Sequence, residues 1–195
     1  MNVFNSLRKA LQRGNEGSAS VEFALVLPVL FIFLIGTLEL ANYALANVKL
    51  DKATFAMADF ATEGPVLNRA YLEQFSQAVP EIMRPYEFRG SVIFTSVARG
   101  GRGGVGNCSS GNCIVWQHST AFSFNASRIG RPGGPARIPG NYVIPPDQDV
   151  IVAEIFYTYS PLLLSSSNFV PGLRPKTLYK VAVFKPREGR RTILN

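Results

Sequence analysis

Gly17-Ser18-Ala19-Ser20-Val21-Glu22-Phe23-Ala24-Leu25-Val26-Leu27-Pro28 opens an apolar run that carries no charge from Phe23 to Leu38, with Glu22 at its mouth and Glu39 at its far end. A helix rises about 1.5 Å per residue, so the interval between the two glutamates covers roughly 25 Å, close to the thickness of a hydrocarbon core. Val21, Leu25, Pro28, Leu30 and Gly36 read as membrane-helix positions, closed by Glu39. Upstream, Arg8, Lys9 and Arg13 are opposed only by Glu16. A Lys/Arg excess beside a spanning helix holds that side in the cytoplasm. The expectation is a single-pass anchor with a cytoplasmic N-terminus and an exported C-terminal part.

The competing reading is an ordinary secretory signal, whose apolar core of about 7 to 15 residues ends at a small-residue cleavage site. This run is longer, and Asn42-Tyr43-Ala44-Leu45-Ala46-Asn47-Val48-Lys49 continues a helical pattern beyond it. Glu22 is the residue that needs a reason. A carboxylate inside a membrane costs about 2.5 to 3.5 kcal/mol on insertion scales and marks function, so a partner is expected for it. Pro28 has a bland reading, a helix kink whose freed carbonyl is satisfied by neighbours.

At this point the chain resembles a known family. A basic leader ending in Gly17, then Glu22, Phe23 and an Ala-Leu-rich run with Pro28, is similar to the substrates of prepilin peptidases. More narrowly, residues Gly17 to Leu30 and Gly36-Thr37-Leu38-Glu39-Leu40 resemble the TadE-like (TadE/TadF) pseudopilins of the tight-adherence (Flp) pilus, a type IV pilus system. The resemblance implies cleavage between Gly17 and Ser18 by a membrane aspartyl peptidase. It also implies that Glu22 and Phe23 serve subunit docking or processing, with the new Ser18 amine one turn from Glu22. The partners implied are the prepilin peptidase, other pilins and pseudopilins, inner-membrane assembly proteins and membrane lipid. The role implied is pilus assembly, adherence and biofilm formation from the bacterial inner membrane, with the C-terminal domain periplasmic or displayed on the pilus. The major Flp pilins are very short, whereas here everything from Ser18 to Asn195 would remain. That favours a minor pilin over the bulk subunit.

The net charge of +7 invites a nucleic-acid reading, but the basic residues are scattered through loops and tails and form no dense stripe. No nucleic-acid partner is expected. Adherence to anionic surfaces is one use for such charge, and plain solubility is the other. Arg187, Arg190 and Arg191 form a basic tail that reads as a solvated end. Cys108 and Cys113 flank the turn-prone Ser109-Ser110-Gly111-Asn112, and in an oxidising compartment they are expected to form a disulfide. Closing so short a loop contributes about 2 kcal/mol on the chain-entropy model, enough to stiffen a loop tip.

The helix is expected to continue past the membrane, because Ala46, Leu50, Ala53, Met57 and Phe60 recur every three or four residues and line one face. Packing on its own domain competes with packing on neighbouring helices of a filament. Gly64-Pro65 punctuates the helix, and a second helix is expected over Val66 to Val79, with Leu67, Tyr71, Phe75 and Val79 as its core stripe, bounded by Pro80 and Pro85. Strands are expected at Ser91 to Ala98, Ile114 to Gln117, Val150 to Tyr159 and Leu178 to Lys185. The fold class is α+β, a long N-terminal helix followed by a small pilin-like domain with an antiparallel sheet. The expected divisions are a leader (1–17), a transmembrane helix (18–45), an exported helix continuation (46–64) and an exported α+β domain (65–195).

Two glycine-rich stretches, Arg99 to Gly106 and Gly130 to Gly140, read as flexible surface loops. The first lacks the Lys-Ser/Thr and the following helix of a P-loop. A zinc site needs four ligands, and His118 is the only histidine beside two cysteines, so no metal and no cofactor is expected. No nucleophile elbow is present, and His118 reads as a surface or satisfied polar histidine; a Ser-His-Asp site assembled in space around it is the competing reading. The expectation is a non-enzyme with no small-molecule substrate. An uncleaved, membrane-anchored binding module or enzyme unrelated to pili is the alternative to the pilus reading.

Overall fold

The computed structural model describes residues 16–63, 66–100, 108–109, 111–120, 125–145, 148–161, 175–187 and 193–194. The basic leader, the Gly64-Pro65 stop, most of the first glycine-rich stretch and the end of the basic tail lie outside the described residues. The chain divides into two compact units, Met1–Asn42 and Tyr43–Asn195.

Helix α1 runs from Glu16 to Phe60 with Pro28 inside it. Its residues after Tyr43 bury Ala46, Leu50, Ala53 and Met57 completely, and Phe60 is partly buried beside them. The face expected from spacing therefore packs on its own domain. Thr54 also lies on it, satisfied by donating its hydroxyl hydrogen to the Leu50 carbonyl at 2.7 Å.

The sheet receiving this face has the order β3-β2-β4-β5. Its strands are β2 (Gly90–Arg99), β3 (Asn112–Ser119), β4 (Asp149–Tyr159) and β5 (Lys176–Phe184), antiparallel throughout. All four expected strands form, each extended at one end or both, and the last ends at Phe184, one residue short of the expected Lys185. Alternation sorts their side chains. Val92, Phe94, Ile151, Ala153, Ile155, Tyr157 and Ala182 share a core with α1. Lys180 on the same side reaches Asp51 at 2.9 Å, and the Phe55 and Phe184 rings meet edge to face at 6.1 Å. β2 and β3 slip register between Ser96 and Val97, leaving Val115 as the extra residue of a bulge.

Two expectations are corrected. The stretch Val66 to Val79 is not one helix. Val66–Leu67 forms strand β1, parallel to β6 (Ile193–Leu194), followed by α2 (Arg69–Ser76) and α3 (Ala78–Met83). Asn68 caps α2 by accepting the Ala70 N–H at 2.9 Å, and Pro80 sits in the first turn of α3, where its missing N–H removes no helical bond. Leu67 and Val79 are buried, but Leu72 and Ser76 replace Tyr71 and Phe75 as the buried residues of α2.

The stretch Gly130 to Gly140 is not a loose loop. Gly133 N–H donates to Ile114 O, Ile114 N–H to Gly134 O, and Ala136 N–H to Asn112 O, at 2.7 to 3.0 Å. Gly133 has φ +75°, and at Gly130 (φ +142°) an added Cβ would lie 2.8 Å from the Pro135 carbonyl oxygen, so both positions require glycine. The segment carries Ile129, Ile138 and Ile144 onto the second face of the sheet, against Val97, Val150 and Val152. The second unit therefore has three layers: helix, sheet and clasp.

Candidate functional site

The first unit's described part is the helix from Glu16 to Asn42, and its chemistry is that of its surface. Phe23, Leu25, Ile32 and Phe33 are 67% to 71% exposed, and the apolar side chains are spread round the axis instead of along one face. Exposed apolar area costs about 25 cal/mol per Å² in water, so a bare cylinder of this kind belongs in lipid or against other helices. Among the described residues α1 is the one helix long and apolar enough to cross a membrane, consistent with a single-pass anchor. Thr37 fits such a setting, since its hydroxyl is within 3.0 Å of the Phe33 carbonyl and 2.9 Å of the Leu34 carbonyl.

Gly17 and Ser18 lie in the first turns of α1, and Glu22 and Phe23 follow on its exposed surface. Val21, Leu25, Pro28, Leu30 and Gly36 are exposed along the same segment, whereas Glu39 is buried at 3% exposure. Cys108 and Cys113 are bonded to each other, with Cα atoms 6.0 Å apart, beside the start of β3.

His118 lies in β3 opposite Phe94, with its ring largely buried. Burial lowers its pKa, the Glu73 carboxylate opposes that shift, and Arg69 adds to it. Its Nε2 is 3.5 Å from Glu73 Oε1, at the limit of hydrogen-bonding range, and makes no hydrogen bond among the described residues. Among the described residues the group it faces is thus a carboxylate on α2 and not a serine hydroxyl, which is not the arrangement of a triad.

One polar cluster was missed in the sequence. Glu154 is completely buried in the middle of β4, and its carboxylate accepts the Ser127 hydroxyl, the Arg128 N–H at 2.9 Å and the Tyr179 hydroxyl at 2.9 Å. The Arg128 guanidinium carbon lies 4.2 Å from the Tyr179 ring centroid. Burial first, then the Glu154 charge and its hydrogen bond, drive the Tyr179 pKa well above that of a free tyrosine. The cluster joins the clasp to the sheet, and every oxygen in it is engaged by structure instead of being left open to a substrate. The signal for it is a lone carboxylate in the apolar run Val150 to Tyr157. A buried charge requires donors, and an edge-side Tyr179 with Ser127 nearby could supply them.

The model of the TadE-like protein family matches residues 17–59, which takes in the bare apolar segment and nearly all of the part packed on the sheet. No curated protein and no solved structure matches the chain. Over residues 17–59 the chain is similar to TadE-like proteins, and the likeness covers less than half of its length.

Proposed function

We propose that this protein is a minor pseudopilin of the tight-adherence (Flp) pilus, processed after Gly17 by a prepilin peptidase and acting in pilus assembly, adherence and biofilm formation. The observation that carries the reading is one unbroken helix with two surfaces, a bare apolar first half and a second half that packs on its own sheet, within the span of the family match. Such a helix holds a folded domain at a membrane and offers its lipid-side residues to other helices. The N-terminus stays in the cytoplasm, and the domain after Tyr43 lies in the periplasm or on the pilus. Cleavage creates an α-ammonium at Ser18, one turn from Glu22. In low dielectric that group, its own or a neighbour's, offsets the cost of burying the carboxylate and registers one helix against the next.

The test is the intact mass and N-terminal sequence of the protein expressed with its cognate prepilin peptidase, beside a Gly17→Arg variant. The expected outcome is a terminus at Ser18 that the variant abolishes. Full-length protein in both would replace this reading with a permanently anchored exported module, and a terminus beyond residue 40 would identify a secretory signal. Glu22→Ala is expected to leave the domain folded and the precursor membrane-bound while piliation falls; normal piliation would remove the docking role.

A further inference from the structure

Three cations that are far apart in sequence come together around Tyr142. Arg99 ends β2, Arg137 lies on the clasp, and Lys185 follows β5. Arg99 and Arg137 line a groove of about 490 Å³ with Asn112, Tyr142 and Val143. Lys185 lines a second groove of about 350 Å³ with Pro139 and Val183, and both grooves are walled by Ile138 and Tyr142. No carboxylate among the described residues lines either one. Among the described residues no ion pair engages Arg99, Arg137 or Lys185. Tyr142, shared by both grooves, and Val143, on the first, remain 49% and 69% exposed.

The walls are held by backbone pairing and by one side-chain amide. Arg99 is paired with Asn112 across β2 and β3, Asn112 Nδ2 donates to Tyr142 O at 2.8 Å, and Arg137 N–H donates to Ile129 O at 2.9 Å. The track is therefore built before any ligand arrives. It also lies at a particular end of the domain. Tyr159, at one end of β4, packs on Tyr43 with ring centroids 5.3 Å apart, whereas Arg99 follows Ala98, the partner of Asp149 at the other end. At about 3.3 Å per residue the strand separates these ends by roughly 30 Å.

We propose that the paired grooves around Tyr142 bind an acidic polysaccharide, with Arg99 and Arg137 taking one carboxylate, Tyr142 stacking on a sugar face and Lys185 meeting the next acidic unit. A guanidinium matches a carboxylate in shape and charge. The flat apolar ring between cations suits a chain whose charges are separated by uncharged ring faces. A nucleic acid fits less well. A duplex presents a charge about every 1.7 Å, and a single strand is held by successive stacking rings, whereas the described residues of this track supply three cations and one exposed ring. The inference rests on the exported placement proposed above, but its readout does not depend on cleavage at Gly17.

The full chain in non-ionic detergent is titrated with polygalacturonate, neutral dextran and a single-stranded oligonucleotide, with thermal melts confirming that each variant is folded. Binding is expected to polygalacturonate and not to dextran. Arg99→Gln with Arg137→Gln is expected to weaken it about tenfold or more, from the loss of charge-assisted contacts. Tyr142→Ala is expected to weaken it about fivefold while Tyr142→Phe retains it, because the ring face supplies the contact. Arg69→Gln with Arg84→Gln removes the same charge elsewhere and is expected to change affinity by less than about twofold. The proposal is overturned by absence of polygalacturonate binding, by equal losses in the two double variants, or by tighter binding of the oligonucleotide with the same loss in the groove variant.

Discussion

Among the described residues of the second unit Glu154 carries the most concentrated chemistry, since one buried carboxylate meets two hydroxyls and a backbone N–H drawn from the residues leading into the clasp and from β5. Removing it leaves those donors buried and unmet, and the expected cost of Glu154→Ala is about 3 kcal/mol in a urea titration. Tyr179→Phe takes away one donor and keeps the ring under Arg128, so about 1 kcal/mol is expected. A double variant no worse than Glu154→Ala would show that the two act as one unit. His118 sets a pH dependence of determined sign. Its pKa is lowered in the fold, so the unfolded chain binds the extra proton first. Its contribution is complete above the free-histidine value of about 6.5 and is lost as pH falls through the lower folded value. The melting temperature is expected to drop between about pH 7 and pH 5, and less steeply in His118→Gln. At this scale the sequence showed types but not partners. Cys108 and Cys113 were close enough along the chain to pair on paper, while Ser127, Glu154 and Tyr179 are brought together only by the clasp crossing the sheet.

Among elements, α1 and the four strands were legible because period and burial agree in them. Leu50 and Met57 recur at helical spacing and both are fully buried, and in β5 the alternation of Tyr179, Val181 and Val183 with Lys180, Ala182 and Phe184 divides the two faces of the sheet. Leu50→Ala or Met57→Ala is expected to cost about 2 to 5 kcal/mol, since a sheet packed behind the helix cannot collapse fully into the space. Phe55→Ala, on the half-exposed flank, is expected to cost about 1 kcal/mol or less by the same denaturation measurement. The Gly130 to Gly140 clasp was illegible because its glycines and prolines announce turns but not what the turns enclose. Its apolar content is spread over Ile129, Ile138 and Ile144 with no period, and its hydrogen bonds go to β3, not to itself. Replacing Cys108 and Cys113 by serine is expected to cost about 2 kcal/mol or less and to leave the sheet intact, because the closed loop is short.

The molecule joins two materials in one helix, an apolar cylinder fit for lipid and a domain with a conventional core. Alkaline carbonate is expected to leave the chain in the membrane pellet, whereas Leu30→Asp with Phe33→Asp, each costing about 2.5 to 3.5 kcal/mol at mid-membrane, is expected to move it to the supernatant. The second half of α1 is fastened to its sheet at several levels at once, by the Tyr43–Tyr159 contact, the Asp51–Lys180 pair, the Phe55–Phe184 rings and the Asp59–Arg187 pair at 2.7 Å. Fasteners distributed along one rod share a load. A pull on the helix along its axis strains all of them together and gives no end from which to peel, so the domain should resist being stripped from its anchor far better than its modest size implies.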